Sequence, residues 1–195
     1  MKPRRSQSVR SRRAIVEVPS LSNIEPPVPR ATGAGTPTAP PNPRLSEMVQ
    51  ILSDHPFLHG MAPGFLHSVA GAARVAEFDK DEFLLRERQL ADGLYLILKG
   101  RVALEMTSPG RPGVKVQTVG AGEVAGWSWL VPPFSSTLDV RALEPTQVIK
   151  IDASTLRELL RRKPAMGYDF LMRLLPILAQ RLEYTMIQVM NVYGI

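Results

Sequence analysis

No cysteine occurs among the 195 residues of this chain. That absence excludes disulfides, thiolate metal sites and a cysteine nucleophile together. Long hydrophobic runs are missing too. None approaches the ~20 apolar residues that span a bilayer, and none follows the N-terminus as a secretory signal would. The expected location is the cytoplasm. Aromatic residues make up only 6% of a chain that is 44% hydrophobic, so the core is expected to be aliphatic. No Ser-His-Asp, paired-carboxylate or P-loop pattern is present, and an enzyme is not expected. From residue 45 onward there is no charge excess of either sign. The formal net charge of +6 lies in residues 1–44, which hold eight basic and two acidic residues. The basic balance therefore says nothing of a nucleic-acid groove on the folded part.

The same 44 residues carry nine of the eighteen prolines and no periodic apolar pattern. Such a segment buries too little surface to offset its ordering entropy and is read as a disordered basic tail. Ala14-Ile15-Val16 and Leu21 are isolated apolar points, and Pro37 to Pro43 reads as a stiff linker. Arg4-Arg5-Ser6-Gln7-Ser8 and Arg10-Ser11-Arg12-Arg13 set hydroxyls beside arginines. A solvated tail, a protein partner, an anionic surface, a phosphorylation site and a transit segment all remain open for it.

Order is expected from Leu45 to the end of the sequence. Leu45, Met48, Val49 and Leu52 fall at helical spacing, with Ser46 as a cap and Pro56 as a stop. Pro63 opens a second short helix through Val69. The period then changes from about 3.6 to 2. Val75 to Phe78, Phe83 to Leu85 and Gly93 to Leu98 read as strands, the last buried on both faces. Val102, Leu104 and Met106 alternate, Ser108 to Gly113 reads as a loop, and Val114, Val116 and Thr118 alternate again. Leu138 to Ala142 and Gln147 to Ile151 complete a β-roll over about 73–152. Helices over about 153–192 follow, with Asp152 or Ser154 as a cap and a break or kink at Pro176. Leu171, Leu175, Leu178, Leu182, Thr185 and Val189 step by 4, 3, 4, 3 and 4. That is the spacing of a two-helix seam, or of a stripe packed on the barrel.

Gly122-Glu123-Val124-Ala125 closes one set of strands, and the next opens about fifteen residues later. A cassette between them can hold a phosphate through backbone N–H groups and a ribose through one carboxylate. Between Glu123 and Val140 there is no arginine or lysine to pair with a phosphate. Arg141 is the nearest guanidinium, and alternation on a strand points it away from the inward face. His55, His59 and His67 lie close in sequence, but Pro56 interrupts them and no thiolate accompanies them, so no metal site is expected.

The order of helices, short strands, cassette and long C-terminal helix resembles the cyclic-nucleotide-binding domain family over most of residues 45–195. His55-Pro56-Phe57-Leu58, Leu94-Tyr95-Leu96-Ile97-Leu98-Lys99-Gly100-Arg101-Val102, Gly122-Glu123-Val124-Ala125 and Val140-Arg141-Ala142-Leu143-Glu144 carry the resemblance. It implies a mainly β fold with flanking helices, a jelly-roll of the double-stranded β-helix type. It also implies a regulatory module for a cyclic nucleotide (cAMP or cGMP) or another small anion. By resemblance the site comprises Gly122, Glu123, Val124, Ala125, Ser135, Ser136 and Thr137. Glu123 would take the ribose 2′-hydroxyl, while Ser136 (or Ser135) stands where the family's phosphate-binding Arg would be. Weak or lost nucleotide binding is the expectation, with Trp127 and Trp129 filling the vacated volume. The alternative is a ligand-free interaction module using the C-terminal helix, as a homodimer, and the tail. The family's transcription regulators carry a helix-turn-helix after that helix; with the sequence ending at Tyr193-Gly194-Ile195, none is expected here.

Overall fold

The computed structural model describes residues 43–108 and 111–193. The basic tail predicted over 1–44 lies outside the described residues except at its last two positions. Helix α1 (Pro43–Asp54) opens at Pro43, so Ser46 lies inside it and caps nothing. Helix α2 (Pro63–Ala70) places Pro63 in its first turn, where a missing N–H costs no hydrogen bond.

Eight strands follow: β1 (Ala73–Phe78), β2 (Phe83–Leu85), β3 (Gly93–Lys99), β4 (Arg101–Ser108), β5 (Arg111–Gly120), β6 (Val124–Ala125), β7 (Asp139–Ala142) and β8 (Thr146–Asp152). They form two antiparallel four-stranded sheets, ordered β1-β8-β3-β6 and β2-β7-β4-β5. Helices α3 (Ala153–Arg162) and α4 (Pro164–Tyr193) close the described chain. The Asp152 carboxylate caps α3 by accepting from the Thr155 N–H at 2.8 Å.

Alternation along β3 explains its burial on both faces. Tyr95 and Ile97 point into the roll and meet Leu84, Leu85, Val102, Leu104, Val119, Val140 and Val148. Leu94 and Leu96 point the other way and, with Ile149 and Ile151 of β8, floor a second cluster roofed by all four helices. One sheet thus serves two cores. Phe57, Phe65 and Trp129 surround Phe170 in the second, at centroid distances of 5.4, 5.8 and 6.2 Å.

Three local expectations are corrected. The loop expected over Ser108–Gly113 is strand at both ends, with β4 reaching Ser108 and β5 starting at Arg111. The alternating faces expected there do not hold, because a register shift between Leu104 and Glu105 exchanges the sides. Val119 is buried, whereas Met106 and Val114 are exposed. Finally, α4 runs without a break through Pro176, since Phe170 and Leu174 before it and Ile177 after it are anchored in the helical cluster. Proline removes one rung of the ladder there without ending the helix.

Candidate functional site

The turn between β5 and β6 brings the Gly-Glu pair against the helices. Gly122 adopts φ 83°, and a Cβ built on it would lie 3.2 Å from Pro56 Cγ, so both conformation and space call for glycine. Its N–H donates to Ile97 O at 2.8 Å. The Glu123 carboxylate accepts from the Gly120 N–H at 2.6 Å and is exposed. It therefore caps its own turn. Val124 belongs to the helical cluster and Ala125 to the roll interior.

The serines lie elsewhere. Ser136 N donates to Gln89 O at 2.8 Å, Arg88 N donates to Ser136 O at 2.7 Å, and Ser135 bridges Leu90. The buried Ser136 hydroxyl donates to Leu138 O at 2.6 Å. Thr137 Oγ1 lies 3.5 Å from Ser128 Oγ. Two clefts beside α4 are lined by Glu123, and neither includes Ser135, Ser136 or Thr137. The cassette turns toward the roll at Gly126, whose φ is 76° and whose Cβ would meet Leu85 Cδ1 at 2.9 Å. Trp127 follows it.

The tryptophans do not fill the roll. Trp129, fully buried, and Trp127 pack on the helical side of the sheet, outside the roll interior. The reason is the Gly126 turn, which sends the following 3-10 turn (Ser128–Leu130) back over the helices. Arg157 of α3 fastens this stretch, donating to Trp129 O at 2.9 Å with its guanidinium 4.6 Å from the Phe134 ring centroid. Arg141 points outward, as strand alternation requires. It makes a bidentate pair with Glu105 and a further bond to Asp81. That pairing holds its guanidinium above its ordinary pKa, with the Glu105 hydrogen bond the largest cause.

Sequence reasoning missed Arg173 and Arg181. Both sit on the α4 face that carries Phe170, Leu174 and Ile177, and a charge interrupting an apolar stripe was the available signal. Arg173 donates to Phe57 O and His59 O. Arg181 donates to Val124 O, and its buried Nε has no acceptor. Burial pushes the Arg181 pKa down, and the charge of Glu123 opposes that shift.

His55 joins the lead-in to the roll. It is buried, with Nε2 3.3 Å from Ile97 O and Nδ1 accepting from the Phe57 N–H at 3.3 Å. Burial lowers its pKa from the ordinary 6.5, against the raising effect of the Ile97 contact. The folded state therefore favours neutral His55, while the unfolded chain takes up its proton near pH 6.5. Stability is complete above that value and is lost as pH falls toward the lowered folded pKa. Thermal melts are expected to show a decline between pH 7.5 and 5.5 that flattens in His55→Gln. An equal decline in the variant would assign the effect to other groups.

Among the described residues no cluster of His, Asp and Glu has the arrangement of a metal site, and no helix is long and apolar enough to cross a membrane. Residues 75–163 match the family model described as cyclic nucleotide-binding domain. Over those residues the chain is similar to that domain. No curated protein matches it. Among solved structures it resembles one from Geobacter metallireducens GS-15 that bears the name of a cyclic nucleotide-binding protein. Identity is 26% and the TM-score 0.61, over 68% of this chain and 96% of that one. A cyclic nucleotide-binding domain from Methylobacillus flagellatus KT is 22% identical with a TM-score of 0.61, over 75% and 83%. The regulatory subunit of a cAMP-independent protein kinase A from Trypanosoma brucei is 22% identical with a TM-score of 0.59. There the match covers 75% of this chain and 51% of the other.

Proposed function

We propose that the chain is a regulatory module of the cyclic-nucleotide-binding type whose roll has lost the capacity to take up a cyclic nucleotide, and which acts by association. One observation carries the reading: the roll interior is occupied by its own side chains. Tyr95, 1% exposed, crosses it and shares its one hydroxyl proton between Leu84 O and Asp92 Oδ1, each 3.0 Å away. Aliphatic residues from both sheets surround it. Polar groups in and beside the expected site have partners of their own. Glu123 serves the Gly120 N–H, Ser136 serves Leu138 O and Arg141 serves Glu105. A phosphate entering the roll would lose its hydration without gaining a charge-assisted partner. The Trypanosoma brucei relative, named for its cAMP independence, is a precedent for this fold in a regulatory role without that nucleotide.

The association surface we assign is the outer face of α4. Leu171, Leu175, Leu182 and Val189 are 41%, 58%, 58% and 50% exposed, apolar positions on α4 that the described residues leave uncovered. Homodimerisation through this stripe accounts for its seam spacing.

Calorimetry tests the closed roll. Cyclic AMP and cyclic GMP are expected to bind in the high micromolar range or not at all. Arginine at Ser136, and separately at Ser135, is expected to leave this unchanged, because a restored cation does not open a filled interior. Each charge-assisted bond is worth roughly 1.5–3 kcal/mol. A gain of about ten- to a hundredfold from either substitution would therefore mean an open pocket that lacks only its cation. Submicromolar binding by the unaltered protein would end the proposal.

A further inference from the structure

The two clefts beside α4 share Gln117, Glu123 and Gln180 and so form one groove, its parts about 350 and 480 Å³ in volume. On the helix it extends from Arg173 to Gln188. Fifteen helical residues rise about 22 Å, the length of roughly six extended residues. The facing wall is β5, an edge strand that pairs with β4 alone. The register shift pairs Leu104 with Gln117 and Glu105 with Lys115, which leaves Val116 between them unmatched. Its carbonyl accepts from Gln188 Nε2 at 2.7 Å, so a side chain of α4 occupies a backbone acceptor on the strand's outer edge. The lining is also unbalanced in charge: Lys115, Arg173 and Arg181 face the single carboxylate of Glu123. Glu123 is the carboxylate whose charge acts on Arg181, and among the described residues the buried Arg181 Nε has no acceptor.

We propose that this groove takes an extended acidic peptide of a partner protein, which adds to β5 as a further strand and turns carboxylates toward Arg181 and Lys115. An edge strand supplies backbone pairing, and alternate side chains then supply selectivity. The excess of cations selects an acidic occupant. The groove is distinct from the apolar stripe, because its helix residues (Arg173, Ile177, Gln180, Arg181, Tyr184, Ile187 and Gln188) are none of the seam positions. A second copy seated on the stripe leaves it open.

Fluorescence anisotropy on the full chain provides the test. The probes are labelled peptides with Glu at every second position and Val or Thr between, beside matched peptides with Gln or Lys in place of Glu. The Glu peptide is expected to bind, the Gln peptide at least tenfold more weakly and the Lys peptide not at all. Arg181→Met is expected to weaken the Glu peptide about ten- to a hundredfold, the worth of a charge-assisted bond. Lys115→Met, at an exposed position that leaves folding intact, is expected to weaken it roughly two- to fivefold. Gln188→Ala, which frees the Val116 carbonyl, is expected to tighten it. N-methylation of alternate peptide residues is expected to abolish binding in one frame and spare it in the other, because a strand pairs with its neighbour at every second residue. Failure of all the peptides to bind, equal binding of the Glu and Lys peptides, or indifference to N-methylation in both frames would each overturn the inference. Nucleotide calorimetry judges the closed roll separately, since the groove lies outside it.

Discussion

Trp129→Ala is expected to destabilise the protein by about 3–5 kcal/mol. For a domain of this size that lowers the melting temperature by roughly 6–20 °C. Trp129 is fully buried, packs against Phe170 and belongs to the cluster that holds the helices on the sheet. Alanine leaves a large void among Phe170, the helices and β3, and those elements cannot all collapse into it. Trp129→Phe gives a sharp control. Among the described residues the indole Nε1–H has no acceptor, a burial cost of about 1–3 kcal/mol that phenylalanine does not incur. The Phe variant is expected to lose no more than ~1.5 kcal/mol, because lost packing and the removed orphan donor offset each other. Urea and thermal melts of the three proteins measure both differences. An alanine variant within ~1 kcal/mol of the parent would contradict the placement of Trp129 in the core.

The second large effect concerns the association we assign to α4. Leu175 and Leu182 are each 58% exposed and belong to the outward stripe, whereas Leu178 is half-buried against the helical cluster and is left unaltered. Replacing both exposed leucines with Glu places four like charges in a two-fold seam. It also removes four apolar side chains from the interface, each worth ~1.5–3 kcal/mol when buried. The dimer dissociation constant is expected to rise by more than a thousandfold, about 4 kcal/mol or more. The monomer is expected to keep its melting temperature, since surface changes of this kind stay within about 0.5 kcal/mol. Native mass spectrometry and sedimentation read the oligomeric state, and far-UV circular dichroism the fold. An unaltered protein that stays monomeric at ~50 µM would remove the seam.

Much of the architecture was legible because local signals and tertiary context agree. Pro63 in the first turn of α2 and the unbroken apolar run of β3 each have one reading, and Asp152 is one of the two caps expected for α3. Where reading failed, the deciding contact was distant in sequence. Met106 and Val114 look like core residues until the Leu104–Glu105 register shift turns their pair outward. Pro176 looks like a stop until Phe170, Leu174 and Ile177 hold both sides of it in one cluster. At the candidate site, periodicity did not show which residues would come together. Glu123 and Ser136 frame one cassette in sequence, but β6 sits between them and pairs with β3. The glutamate stays at the α4 edge and the serine pairs with Gln89. Periodicity places a residue on a strand or a turn; it does not report which neighbouring element that turn will face.

The missing rung at Pro176 has a consequence for how α4 is supported. Before it, the helix is held by Phe170 and Leu174; from Leu182 to Asn191 its residues are exposed. A segment of that length is marginal as an isolated helix in water. Its winding then depends on what lies beside it, and ordering is added to the free energy of association rather than preceding it. On the association proposed for α4, protein concentration would become a structural variable in its own right: dilution is expected to remove neighbours and to loosen the last turns, where Gln188 on Val116 O is the contact within the chain, so the end of α4 would report how crowded the protein is by its own kind.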